Sequence, residues 1–159
     1  MKKLFITTAI AAIFSVTAFA GDGGKKPVAG EVAVTYEAVN HFKTDFKKVK
    51  NATWTVTANC QKASFDWNGV LMTAFYNLDG QYLGATHNVG YTTVPAGAQQ
   101  EINAAYTAYA VKNVIQFEYN GENTAIDPLV YFVDLQKADS EIVLKVTPDE
   151  KVTFYKQVK

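Results

Sequence analysis

The side chains able to do chemistry are few and scattered through the chain. Cys60 is the one cysteine, His41 and His87 are the two histidines, and fifteen carboxylates are spread over 159 residues. A metal site needs such groups clustered at ligand spacing, and no two of Cys60, His41 and His87 stand that way. A Cys60–His pair would still lack the third group that orients a catalytic base. Cys60 shares strand parity with Trp54 and Val56 and reads as a small buried hydrophobe. His41 lies beside, not on, an apolar helical stripe and reads as solvated. Asp79-Gly80-Gln81 begins like a calcium loop, but Tyr82, Leu83 and Gly84 supply no further oxygen ligands. Gly21-Asp22-Gly23-Gly24 follows no strand and precedes no Lys-Ser/Thr pair, so it is no phosphate loop. Asp134 is the one acid inside an apolar run, and reads as solvent-facing or paired with a lysine. No catalytic, cofactor-binding or metal-binding residue is therefore assigned, and the chain is not expected to be an enzyme. A hydrolase using Cys60 or a perturbed carboxylate is the third-ranked reading.

What remains is tyrosine. If the parity of Trp54, Val56, Val152 and Phe154 faces the helices, Tyr155 points to the other face of a sheet. Trp67, Tyr76, Tyr82 and Tyr131 are candidates to join it, which makes five candidate partner-binding residues. Aromatic side chains concentrate binding energy when a protein or peptide docks. The plainer reading is that the same rings fill a core or pack as cross-strand pairs.

The elements that would carry these rings start after an export signal. Lys2 and Lys3, an apolar run from Leu4 to Ala18, and Ala18-Phe19-Ala20 form the three parts of a signal peptide over residues 1–20. The uncharged run is short for a bilayer span, and no stop-transfer pattern follows. The expected product is periplasmic or secreted, with no membrane attachment after cleavage. Once Lys2 and Lys3 are removed, thirteen lysines face fifteen acids and no arginine is present. That balance disfavours nucleic acid as a partner. One cysteine forms no internal disulfide, so stability must come from the core, to which nine Tyr, two Trp and the seven Phe beyond residue 20 contribute.

Residues 21–34 are glycine-rich and predict a flexible lead-in. From Thr35 to Val49 the period is helical: Val39, Phe42, Phe46 and Val49 share a stripe, Thr35 is a candidate N-cap, and lysines gather at the end. The period then becomes two. Trp54, Val56, Ala58 and Cys60 alternate with polar residues, and Ala63, Phe65 and Trp67 continue the pattern. Asn68-Gly69 is a strong hairpin signal. Val70–Asn77 is apolar on both parities and reads as an interior strand. Asp79-Gly80 turns into a fourth strand, Gln81–Val89. Pro95 opens a second helix over about Ala98–Lys112, with Ile102, Ala105, Tyr106 and Tyr109 as its stripe. Four more strands follow at about Val114–Tyr119, Leu129–Gln136, Glu141–Thr147 and Lys151–Val158.

The expected fold is α+β: a tandem α-β-β-β-β plan, an antiparallel sheet, and two helices packed on one face. Each half, about 35–90 and 95–159, is too small to bury an ample core alone, so residues 35–159 are read as one domain with joined sheets.

An ordered set of pieces carries a family likeness. These are Val39-Asn40-His41-Phe42 with Phe46 on a helix, Ala52-Thr53-Trp54, Ala74-Phe75-Tyr76-Asn77-Leu78-Asp79-Gly80 before a strand, and Val94-Pro95 opening a helix with Ile102 and Tyr106. Together they resemble the PepSY-like domain, also described as β-lactamase-inhibitor-protein-like (BLIP-like), of exported bacterial proteins. The likeness covers nearly the whole chain after the signal. It departs at Lys47, where many members carry proline after the helix phenylalanine. The resemblance implies a non-catalytic, exported protein whose open sheet face binds another protein or a peptide; none of the inhibitor's contact residues maps onto this sequence. The alternative is a small-ligand carrier with an apolar pocket between helices and sheet.

Overall fold

Helix α1, Tyr36–Asp45, starts where Thr35 supplies a cap: its Oγ1 accepts the Ala38 N–H at 3.3 Å. Glu37 in the first turn and Lys43 in the last suit the helix dipole. Ala38 and Phe42, four residues apart, form the buried face. The expected stripe runs on to Val49, but the helix stops earlier. Phe46 leaves helical conformation at φ −117°, its N–H still bonding Phe42 O at 2.8 Å. Val49 N–H then bonds Phe46 O at 2.9 Å, so Phe46 and Val49 reach the core from a turn. The computed structural model describes residues 33–120 and 127–159. The signal segment and nearly all of the lead-in read from the sequence lie outside them.

Strands β1 (Thr53–Val56), β2 (Gln61–Trp67), β3 (Val70–Tyr76) and β4 (Tyr82–Asn88) follow α1. Helix α2 (Ala96–Ala105) then precedes β5 (Ala110–Tyr119), β6 (Leu129–Lys137), β7 (Ser140–Val146) and β8 (Val152–Gln157). All eight strands pair in sequence order into one antiparallel sheet, and β4 joins β5 at the seam between the halves. The first strand is shorter than the alternation predicts. Thr57 N–H bonds Cys60 O at 2.8 Å, closing a turn over Ala58-Asn59, so Cys60 lies beyond β1 instead of on it.

α2 is also shorter than the periodicity predicts. It ends with Tyr106 N–H bonding Ile102 O at 2.9 Å, and Tyr109 sits in the turn that follows. β5 begins at Ala110, four residues ahead of the expected start, because β6 is long enough to pair with it from Ala110↔Gln136 onward. A ten-residue strand laid on its neighbour outweighs another turn of marginal helix.

The two halves keep step. α1 and α2 are each ten residues long, and Ala38, Phe42, Phe46 and Val49 correspond, sixty positions on, to Ala98, Ile102, Tyr106 and Tyr109. The closing turns of the halves also match. Gly80 N–H bonds Asn77 O at 3.0 Å, and Glu150 N–H bonds Thr147 O at 3.0 Å, with φ +85° and +65° at the two turn positions.

Both helices lie on one face. The register runs Phe65–Met72–His87–Gln116–Tyr131–Val146–Val152 straight across that face. Under α1, Phe42 meets Phe65 at 5.0 Å and Trp54 at 5.5 Å, while Phe46 meets Phe65 at 4.7 Å and Trp67 at 5.6 Å. Under α2, Val94, Ala98 and Ile102 pack on Val114, Tyr131, Val133, Leu135, Ile142, Leu144 and Val146. Each large side chain so buried contributes about 1.5–3 kcal/mol. These side chains occupy the layer between each helix and the sheet.

Candidate binding face

Alternation gives the sheet a second face, and half of it is apolar as well. Phe75, Phe117, Val130, Phe132 and Val143 are buried there with Cys60, and Leu83, Ile115, Tyr119 and Tyr155 ring them half-buried. Phe75 meets Phe117 at 6.2 Å and Phe132 meets Tyr155 at 4.9 Å, both edge to face. Among the described residues no helix lies on this side. The other half of the face is polar: Ser64 and Thr73 share a hydrogen bond of 3.1 Å beside Thr86.

Three bulges populate this face. The pairing slips at Phe75/Tyr76, at Val111/Asn113 and at Val143/Leu144, which leaves Leu83, Lys112 and Tyr155 as the extra residues. All three turn toward the helix-free side. Leu83 and Tyr155 join the apolar cluster, and Lys112 reaches the acids at its border. A bulge re-aims one side chain without ending the ladder, which is how one face gains rings and charge beyond what alternation supplies. At the first bulge Gly84 takes φ +146°, and its backbone comes so close to β5 that a Cβ would meet Glu118 O at 2.2 Å.

Charge frames the cluster. Lys62 is 8% exposed, lies 5.9 Å from the Phe75 ring centroid, and burial holds its ammonium below the ordinary lysine value. Lys145 pairs with Asp127 at 3.0 Å. Lys112 Nζ stands 2.8 Å from Glu141 Oε1 and 3.8 Å from Asp134 Oδ2. Asp134 faces this side on the polar parity of β6, as expected, and is paired with a lysine. It is not solvent-facing, being 8% exposed with Oδ1 lacking a hydrogen-bond partner. Burial first, and the Glu141 carboxylate second, raise its pKa from 3.8 to about 6, against the pull of Lys112. Glu141 is held below its ordinary value, chiefly by its bond to Lys112.

The five aromatic residues picked from the sequence do not form one surface. Tyr155 alone lies on the helix-free face. Trp67 keeps the parity of Ala63 and Phe65, so it packs on Phe46. Tyr76 keeps the parity of Met72 and Ala74, is fully buried, and lies 5.6 Å from Trp54. Tyr82 pairs with Tyr76 ahead of the bulge and stays on the α1 side. Tyr131 shares its side with Val133 and Leu135 and is buried under α2. The sequence reading missed Leu83, Phe117, Phe132 and Lys112. The glycine inside β4 was the available sign of the first bulge; Lys112-Asn113 offers none.

Among the described residues, no group of three or more His, Cys, Asp and Glu is placed to hold a metal ion. His41 is exposed on α1, His87 is half-buried on β4, and Cys60 is fully buried with Thr57 Oγ1 3.4 Å from its sulfur. No described helix is long and apolar enough to cross a membrane.

No family model matches the chain, and neither does any curated protein. Solved structures do. A DUF2874 family protein from Bacteroides uniformis ATCC 8492 superposes with a TM-score of 0.68 at 15% identity, over 79% of this chain and 91% of that one. A protein from Bacteroides eggerthii DSM 20697, provisionally described as periplasmic, gives 0.69 at 14% identity over 80% and 91%. A BLIP-like protein from Bacteroides fragilis NCTC 9343 gives 0.64 at 13% identity over 81% and 89%. The fold is therefore the α+β, BLIP-like one: two helices on an eight-stranded antiparallel sheet.

Proposed function

We propose that the protein is an exported, non-catalytic, inhibitor-like binding protein of the PepSY-like kind, and that it engages a protein or peptide through the helix-free face of its sheet. The carrying observation is that half of the sheet's second face is apolar as well, while both described helices lie on the first. A two-layer fold needs one apolar face for its core. Here the second face carries four half-buried residues, Leu83, Ile115, Tyr119 and Tyr155, around a buried aromatic centre, and two of them are tyrosines. Location in the periplasm or outside the cell rests on the signal pattern of residues 1–20 and on the B. eggerthii neighbour. The polar mix at the border, Lys62, Lys145, Asp134 and Glu141, suits a partner with both signs of charge and gives no footing for nucleic acid.

The test is capture from an envelope extract with the protein immobilised, alongside Tyr119→Ala and Tyr155→Ala. Phe154→Ala is the control, since Phe154 is 60% exposed and pairs with Leu144 on the helix side. A saturable partner retained by the wild type and Phe154→Ala, and lost by both tyrosine variants, supports the reading. Equal recovery by all four proteins, with circular dichroism showing them folded, defeats it.

A further inference from the structure

We propose that Asp134 and Glu141 hold one proton between them, with Lys112 set across the pair, so that release of this proton is a pH-sensitive switch in the charge of the helix-free face. The inference concerns the face's own ionisation and stands whether or not a partner binds there.

The geometry makes the case. Asp134 on β6 pairs with Asn113 of β5 on one side and Val143 of β7 on the other, so its immediate neighbours in the sheet are a neutral amide and an aliphatic side chain. Its carboxylate is removed from water, and Oδ1 finds no donor. Lys112 reaches both acids. The β5 bulge swings Lys112 over both, and its ammonium sits a full ångström closer to Glu141 (2.8 Å) than to Asp134 (3.8 Å). Lys112 is therefore held chiefly by Glu141 and more weakly by Asp134. The groups facing Asp134 are Lys112 from β5, Glu141 from β7 and Lys156 from β8, while Lys159 at the end of the chain acts on Glu141. Lys156 is drawn to both acids, while burial lowers its own pKa. A buried carboxylate beside a second one in a half-dry setting does not ionise at the ordinary carboxylate pH; it keeps its proton to higher pH. With that proton in place the pair carries a single negative charge. Without it the pair carries two, and the proton passes to solvent.

The consequence is local. Between mildly acidic and neutral pH, the β5–β8 border of the apolar cluster gains one negative charge, beside Val143 and near Tyr155. Any surface meeting that border meets a different field on the two sides of the transition.

Carboxyl-carbon NMR on protein labelled at Asp and Glu reads this directly. Asp134 should titrate with a midpoint at about 6, and the Glu141 signal should show a second inflection at the same pH. Glu141→Gln should move the Asp134 midpoint down, because a repelling charge is gone. Lys112→Met should move it up, because the attracting one is gone. Lys112 is well exposed whereas the Glu141 side chain is mostly covered, and an amide spectrum verifies the fold of each variant. An Asp134 midpoint near 4 in the wild type, or an Asp134 midpoint that ignores Glu141→Gln, overturns the proposal. The absence of the second inflection in the Glu141 curve does so as well, without any substitution.

Discussion

Alanine at position 84 tests whether the seam between the two halves depends on one missing side chain. Gly84 holds φ +146°, where an L-residue costs about 1–3 kcal/mol. The Cβ would also lie 2.2 Å from Glu118 O, 3.1 Å from Glu118 C and 3.1 Å from Phe117 Cε2. Two of those three atoms are backbone, so no side-chain rotation relieves the contact. β4 must move off β5 by about an ångström, which weakens ladder bonds at about 1 kcal/mol each. Five ladder pairs hold this seam, from Gly84↔Tyr119 to Asn88↔Ile115, with Val89 N–H on Val114 O and Asn120 N–H on Leu83 O at its ends. The expected loss is about 2–4 kcal/mol, a large share of a domain's usual margin of about 5–15 kcal/mol. The assay is urea unfolding followed by two probes. Both tryptophans, Trp54 and Trp67, pack in the core under α1, so their emission reports the first half, whereas far-ultraviolet circular dichroism reports both. In the wild type the transitions should coincide; in Gly84→Ala they should fall and separate. Gly69→Ala is the control, because Gly69 has φ +84° but nothing within 4 Å of an added Cβ, and it should cost about 1 kcal/mol. If Gly84→Ala costs no more than Gly69→Ala and the probes still coincide, the reasoning about the seam is wrong.

Gln61 is 1% exposed; it accepts Thr35 N–H at 2.7 Å and donates to Thr35 Oγ1 and Asn77 O, both at 2.9 Å. Gln61→Ala orphans these groups and should cost about 2–3 kcal/mol in chemical denaturation. Tyr76→Phe removes a buried hydroxyl that has no partner, so it should leave stability unchanged or raise it by about 1 kcal/mol, and it should not alter capture of any partner. Pro95 gives α2 no side-chain cap, and Gly97 N–H instead bonds Glu150 Oε1 at 3.2 Å from the far turn, so Glu150→Ala should cost about 0.5–1 kcal/mol in the same assay. Because the folded pKa of Asp134 lies above its unfolded value of 3.8, the folded protein binds that proton more tightly, and the resulting stability is complete below pH 4 and lost as pH rises toward 6. The shift caps the effect at about 3 kcal/mol, reduced to about 1–2 kcal/mol by water at the border; Asp134→Asn should flatten thermal stability between pH 4 and pH 6.

Element order was legible because the period changes cleanly from helical to alternating at each half, and because Asn68-Gly69 and Asp79-Gly80 announce their turns. The start of α1 was legible too, since Thr35 does what its hydroxyl suggests. Helix ends were not. Phe46, Val49, Tyr106 and Tyr109 keep the helical stripe although the chain has left the helix, because a turn delivers them to the same core. Cys60 was misplaced because the turn over Ala58-Asn59 carries neither glycine nor proline. The face was the least legible part. Alternation assigns sides only while each strand keeps its count, and three inserted residues break the count where the apolar cluster forms. Tyrosine content drew attention mostly to rings that are core, while the buried rings on the far side are phenylalanines, with Tyr119 and Tyr155 at their edge.

An open sheet of eight strands has two outer rims, and the β8 rim is where the third bulge lies. Tyr155, inserted in the last strand, throws the outward-pointing amides and carbonyls of that rim out of step. An incoming extended chain would find its partners in register over only two or three residues before the ladder fails. The β1 rim offers only four residues. In a crowded compartment such rims are poor templates, so the molecule should resist growth into end-to-end sheets even though half of its helix-free side is apolar.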